Sequence, residues 1–275
     1  MKTILVATDF STSSMNAVNY AADMALGIGA NILLLHVYQV PYTHGEVPIV
    51  INHEEMIEQA AGQLNIIKED LDKKLNAAVN IEIEVKFGTF FRDLKQVCDR
   101  IKPYAVVMGS QGKTALERVL FGSNSVYAMQ HLEWPVIAVP QGVTFSRIKK
   151  IGLACDFNQV TETIPLDEVK TLARDFNATM YVLNSGKKDE SNPELVFESN
   201  VLQVLLKDLD PNFHFITTDD KDQGIIDFAE QNQLDLLVVF PKQHNLLDKI
   251  IRSSYTKQLV LHCHVPVMAL HHSPA

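Results

Sequence analysis

The chain is poor in basic residues. Lys and Arg total 24 against 33 Asp and Glu, a formal charge of −9, so it lacks the cationic surface that displaces counterions from DNA or RNA. Nucleic acid is not expected as a partner. Cysteine is scarce too: Cys98, Cys155 and Cys263 are odd in number, far apart, and in no CxxC pair, which suits a reducing cytoplasm better than a disulfide framework. Long apolar runs are missing. None approaches the ~20 residues of a membrane helix, and the run that follows Met1 is too short for a signal-peptide core. A cytoplasmic protein without a membrane partner is the expectation.

The 275 residues, 47% of them hydrophobic, are enough for one large domain or two of roughly 130–140 residues. Short continuous apolar runs at Ile4–Ala7, Ile32–Leu35, Ala105–Met108 and Val136–Val139 predict parallel strands covered on both faces. Ile81–Val85 alternates with glutamate, which predicts a strand with one wet face at a sheet edge. Between the strands, Met15, Val18, Ala22 and Ala25 share a helical face, as do Leu94, Val97 and Ile101. Met56, Ala60, Leu64, Ile67 and Leu71 predict an amphipathic surface helix. This is the βαβ alternation of a doubly wound sheet.

The pattern then repeats. Ile151–Phe157 follows the form of Leu5–Phe10, so Asp156 matches Asp9; Met180–Leu183 stands for Ile32–Leu35, Phe213–Ile216 for the alternating strand, and Leu236–Val239 for Ala105–Met108. Val265–Leu270 matches Trp134–Val139, and an offset of 131 aligns Pro135 with Pro266 without a gap. The chain reads as a duplication, with domains at 1–143 and 147–275 and a linker around Pro140–Ser146, where Pro and Gly break the preceding strand.

Candidate chemistry lies in one stretch, Gly109 to Asn124. Gly109, Gly112 and Gly122 follow a buried strand, and Gly122-Ser123 opens a helical stretch through Val126 and Met129. Glycine lets backbone N–H groups approach phosphate oxygens closely, and a helix N-terminus adds unpaired donors and a positive dipole end. Gly112-Lys113-Thr114 does not make a Walker A loop, because Val107 occupies the position of the required first glycine. No nucleophile or second perturbed group pairs with Asp9 to make it a catalytic base. His262, His264, His271 and His272 show no spacing that compels a metal site. Cys98, beside Leu94 and Ile101 on a helical face, reads as core.

The spacing Gly109-x2-Gly112-x9-Gly122-Ser123, with Val6–Ser11 and His36-Val37 at two strand ends, resembles the ATP-binding signature of universal stress proteins. The resemblance implies two tandem α/β domains of the adenine nucleotide alpha hydrolase-like kind, each a doubly wound five-stranded parallel sheet in the order 3-2-1-4-5. It implies that Ala7, Asp9 and the Val37 backbone line an adenine and ribose pocket, and that Gly109, Gly112, Gly122, Ser123 and Asn124 hold the phosphates of ATP, bridged by Mg²⁺. Lys113 is read equally well as a phosphate neutraliser or as a solvated side chain.

The second half departs from that signature. By the 131 offset Phe240, Gln243, Ser253 and Ser254 replace Gly109, Gly112, Gly122 and Ser123, so the second domain is not expected to bind ATP. The leading expectation is an ATP-binding protein of stress response or signalling, acting through conformation or an unknown protein partner, with slow hydrolysis at most. The alternative is a nucleotide-independent interaction module or a binder of another small ligand. Signature loops of nucleotidyl transferases and ATP pyrophosphatases are not found. Members of the family commonly pair through their last strands, so the resemblance implies an intramolecular pseudo-dimer of Val136–Val139 with Val267–Leu270; a further homodimer stays open.

Overall fold

A computed structural model describes residues 1–38, 53–110, 124–184, 193–241 and 249–271, with backbone alone for 249–255. In the first half β1 (Thr3–Ala7), α1 (Thr12–Ile28), β2 (Asn31–Tyr38), α2 (His53–Lys74), β3 (Ile81–Phe87), α3 (Phe90–Ile101), β4 (Ala105–Gly109), α4 (Asn124–His131) and β5 (Val136–Val139) alternate strand with helix. The second half follows with β6 (Lys150–Ala154), α5 (Val160–Thr163), α6 (Leu166–Phe176), β7 (Thr179–Asn184), α7 (Pro193–Leu205), β8 (Asn212–Phe215), α8 (Lys221–Gln231), β9 (Leu236–Val239), α9 (Lys249–His262) and β10 (Val267–Ala269).

The strands form one sheet in the order β3-β2-β1-β4-β5-β10-β9-β6-β7-β8. Each half keeps the order 3-2-1-4-5, with parallel pairing throughout. The two five-stranded sheets join through the expected pairing of the last strands: β10 runs antiparallel to β5, with Met268 opposite Ile137. Both strands are buried along their length, and pairing them removes two apolar edges that would otherwise template aggregation. The outer strands β3 and β8 are the ones left half-exposed. On β3 the alternating glutamates face water, and Glu84 pairs with Lys86 and with Arg100. Each face of the sheet carries one apolar layer that runs across both halves, one built around Ile4, Ile137 and Ile151, the other around Leu5, Val136 and Leu237.

Local sequence explains the helices. α1 presents Ala17, Ala21, Ala22 and Ala25 to the sheet, all buried, and these small side chains let it lie close. Its counterpart in the second half is broken into α5 and α6 at Ile164-Pro165, because proline removes a backbone donor and disfavours helix at the residue before it. The linker is held down: Asn16 Nδ2 donates to the carbonyls of Pro140 and Val143 at 3.0 Å each. Phe145 wedges between the halves, edge-on to Tyr20 at 5.3 Å and tilted against Phe176 at 6.4 Å. Lys2 pairs with Asp175 across the same seam at 2.5 Å.

Candidate functional site

Between β1 and β4 the strand order reverses, so the connections leave their carboxyl ends toward opposite faces of the sheet, the place where such sheets bind ligands. Ala7 ends β1, paired with Leu35 of β2. Asp9 follows, half-buried, its Oδ1 accepting the Ser11 N–H at 3.0 Å. That turn drives Phe10 to a φ of 63°, a left-handed conformation that costs a non-glycine residue roughly 1–2 kcal/mol. It is held by the Thr8 hydroxyl, which accepts the Phe10 N–H at 3.0 Å and shares a 2.9 Å hydrogen bond with Ser14. Ser11 caps α1 by accepting the Ser14 N–H. From β2, His36 Nδ1 donates to the Thr8 carbonyl at 2.8 Å, and its ring lies 4.5 Å from that of Phe10. Val37, one residue on, is buried beside Lys86 of β3.

Gly109 ends β4. A Cβ there would sit 2.5 Å from Ser13 Oγ and 2.8 Å from the Ser13 carbonyl carbon and oxygen, so α1 abuts the end of β4 with backbone facing backbone. The Ser13 hydroxyl beside it is buried and has no hydrogen-bond partner among the described residues. Asn124, the first residue of α4, is exposed. Ala7, Asp9, Val37, Gly109 and Asn124 therefore stand at the same end of the sheet, four at or just past strand ends and one at a helix start. Gly112, Gly122, Ser123 and Lys113 lie outside the described residues. Neither α1 nor α4 carries an acidic side chain in its first turn, so no carboxylate there opposes the positive dipole end, while Asp9 stands just ahead of the α1 cap.

The second half repeats the turn but not the opening. Asp156 Oδ1 accepts the Asn158 N–H at 3.3 Å, Phe157 takes a φ of 49°, and Asn184 Nδ2 donates to the Cys155 carbonyl at 3.0 Å in the role of His36. Here, however, Glu198 reaches from α7 and accepts the Val160 N–H at 2.8 Å. A carboxylate of the chain itself thus occupies the helix start that follows β6. Phe240 stands half-buried in the place of Gly109, while Gln243 and the side chains of Ser253 and Ser254 lie outside the described residues. Reading along the sequence missed Glu198, for nothing in its spacing links it to residue 160. It also missed Thr8 and Ser14, whose hydroxyls the close seat of α1 brings together, and Ser13, which that seat sets against Gly109. Cys98 is core, as read: burial pushes its thiol up to about 12, and that of Cys263 to about 11.

The model of the universal stress protein family matches residues 1–140 and again 147–271. The chain belongs to the universal stress protein family, with two such domains in tandem. A universal stress protein of Synechocystis is 22% identical over an alignment covering 98% of this chain and 99% of that protein. One from Methanocaldococcus jannaschii is 27% identical over 141 residues, 50% of this chain and 81% of the relative. The crystal structure of a universal stress protein from Archaeoglobus fulgidus superposes with a TM-score of 0.72 over 98% of this chain and 96% of its own, at 16% identity, a likeness of fold.

Proposed function

We propose that the first half of this universal stress protein binds ATP with Mg²⁺ in the crevice beyond β1, β2 and β4, and that the nucleotide biases conformation or partner choice in a stress response. The observation that carries this reading is the difference between the two crevices. In the first, two helix starts with no acidic residue in their first turns stand by Gly109; in the second, the Glu198 carboxylate takes the equivalent helix start.

The residues suit the ligand. Asp9 offers a carboxylate to a ribose hydroxyl or a hard cation, the Val37 backbone an edge for adenine, and Asn124 the opening turn of α4 for phosphate, continued by Gly112, Gly122 and Ser123. Mg²⁺, when bound, supplies positive charge to the triphosphate. The chain's own part is to orient the nucleotide through backbone donors.

Thermal unfolding tests the reading. Mg-ATP at about 100 times its Kd stabilises a folded chain by about 2.7 kcal/mol, so wild type should gain several degrees in Tm. Gly122→Val, whose side chain would stand where phosphate approaches, should gain none. A well-folded wild type unmoved by Mg-ATP contradicts the proposal.

A further inference from the structure

At the opposite end of the strands from the nucleotide crevice, the seam between the halves encloses a cavity of about 320 Å³, near the lower bound of small-molecule sites. The segments leading into β4 and β5 contribute Tyr104, Glu133 and Trp134 to its wall, the first turns of α6 contribute Asp167 and Glu168, and the end of β10 contributes His271. The indole is fixed, its Nε1–H donating to Asp99 at 3.3 Å. His271 is 5% exposed and donates from Nε2 to the Met129 carbonyl at 2.8 Å; its Nδ1 is buried and makes no hydrogen bond of normal geometry among the described residues, with the Pro241 backbone close enough to act on the ring. Burial is the main cause that holds this imidazole below its ordinary pKa, seconded by His131 against the opposing effects of Met129, Glu133 and Pro241. Asp167 and Glu168 are exposed and have no ion-pair partner among the described residues, whereas Glu133 is 3.6 Å from Lys95.

The pseudo-two-fold copy of this cavity is built differently. It measures about 130 Å³, and the linker residues around Phe145 line it. By the 131 offset Asp235, His264 and Val265 stand there in place of Tyr104, Glu133 and Trp134. The second cavity keeps Tyr20, Phe145 and Asp235, but the indole and the three carboxylates of Glu133, Asp167 and Glu168 line the larger one alone of the two.

The Trp134 and Tyr104 rings, the latter already with Lys2 Nζ 5.0 Å from its centroid, rim carboxylates with no ion-pair partner among the described residues, and a buried ring nitrogen ask for the same complement: an apolar body carrying N–H donors and positive charge. We infer that this cavity binds a small organic ammonium with an aromatic or apolar body. Carboxylates at the mouth draw the cation in, the rings of Trp134 and Tyr104 cover its body, and His271 Nδ1 accepts one of its N–H groups.

Trp134 is the sole tryptophan, so its fluorescence reports on the site. The full chain is titrated with 2-phenylethylammonium, with neutral 2-phenylethanol and anionic phenylacetate as matched bodies. A saturable change with one ammonium per chain is expected, weaker by about tenfold for the alcohol and absent for phenylacetate. His271→Leu should weaken ammonium binding about fivefold or more. Should that variant fail to fold, the surface pair Asp167→Asn and Glu168→Gln carries the test, with about threefold weakening that shrinks as salt is added. Gly122→Val should bind the ammonium as wild type does, which separates this site from the nucleotide crevice. No saturable response from folded wild type, equal binding of phenylacetate, or variants that bind unchanged would each overturn the inference.

Discussion

Gly109 shows how one residue can satisfy two demands that sequence cannot separate. Its place at the head of a Gly-x-x-Gly spacing points to phosphate, yet its Cα also faces the Ser13 backbone at a distance no Cβ tolerates. Gly109→Ala should therefore destabilise the ligand-free protein by about 1–3 kcal/mol, measured by urea unfolding. An unchanged midpoint would mean that α1 seats less tightly than described. Asp9 illustrates the reverse case: the sequence shows an acid at a strand end, and the structure adds the turn that turns it toward Ser11 and strains Phe10. Such details depend on φ angles and on neighbours from α1 and β2, which no local pattern encodes.

At the scale of elements, most of the fold was legible because burial is periodic. The run Val136–Val139 is β5 to the residue, the alternating Ile81 segment is the edge strand β3, and the charged stretch around Leu64 is a surface helix with Ala60, Leu64 and Leu71 inward. The break between α5 and α6 is one that Pro165 signals in the sequence. The two starts differ in their caps as well. Ser11 closes α1 through its own side chain, so Ser11→Ala should cost about 1 kcal/mol in thermal or urea unfolding. The corresponding helix start in the second half relies on Glu198 from a distant helix. That long-range cap is why the second crevice could be read as degenerate from its missing glycines, but not as occupied.

For the whole molecule, the pairing of β5 with β10 makes two domains one sheet with apolar layers common to both halves. The pairing of these last strands was expected from the family resemblance; the continuous layers and the wedge of Phe145 were not, since they depend on contacts between segments far apart in sequence. Shared layers predict a single cooperative transition. Trp134 fluorescence, which reports on the first half, and far-ultraviolet circular dichroism, which reports on both, should give coincident urea midpoints. Separated midpoints would contradict the continuity of the core. The asymmetry between the crevices carries the functional account, and counting sites tests it most directly. Calorimetric titration of Mg-ATP into nucleotide-stripped protein should give one site per chain, abolished in Gly122→Val. Two sites would contradict the closed second crevice, and no binding to folded wild type would contradict the nucleotide reading itself.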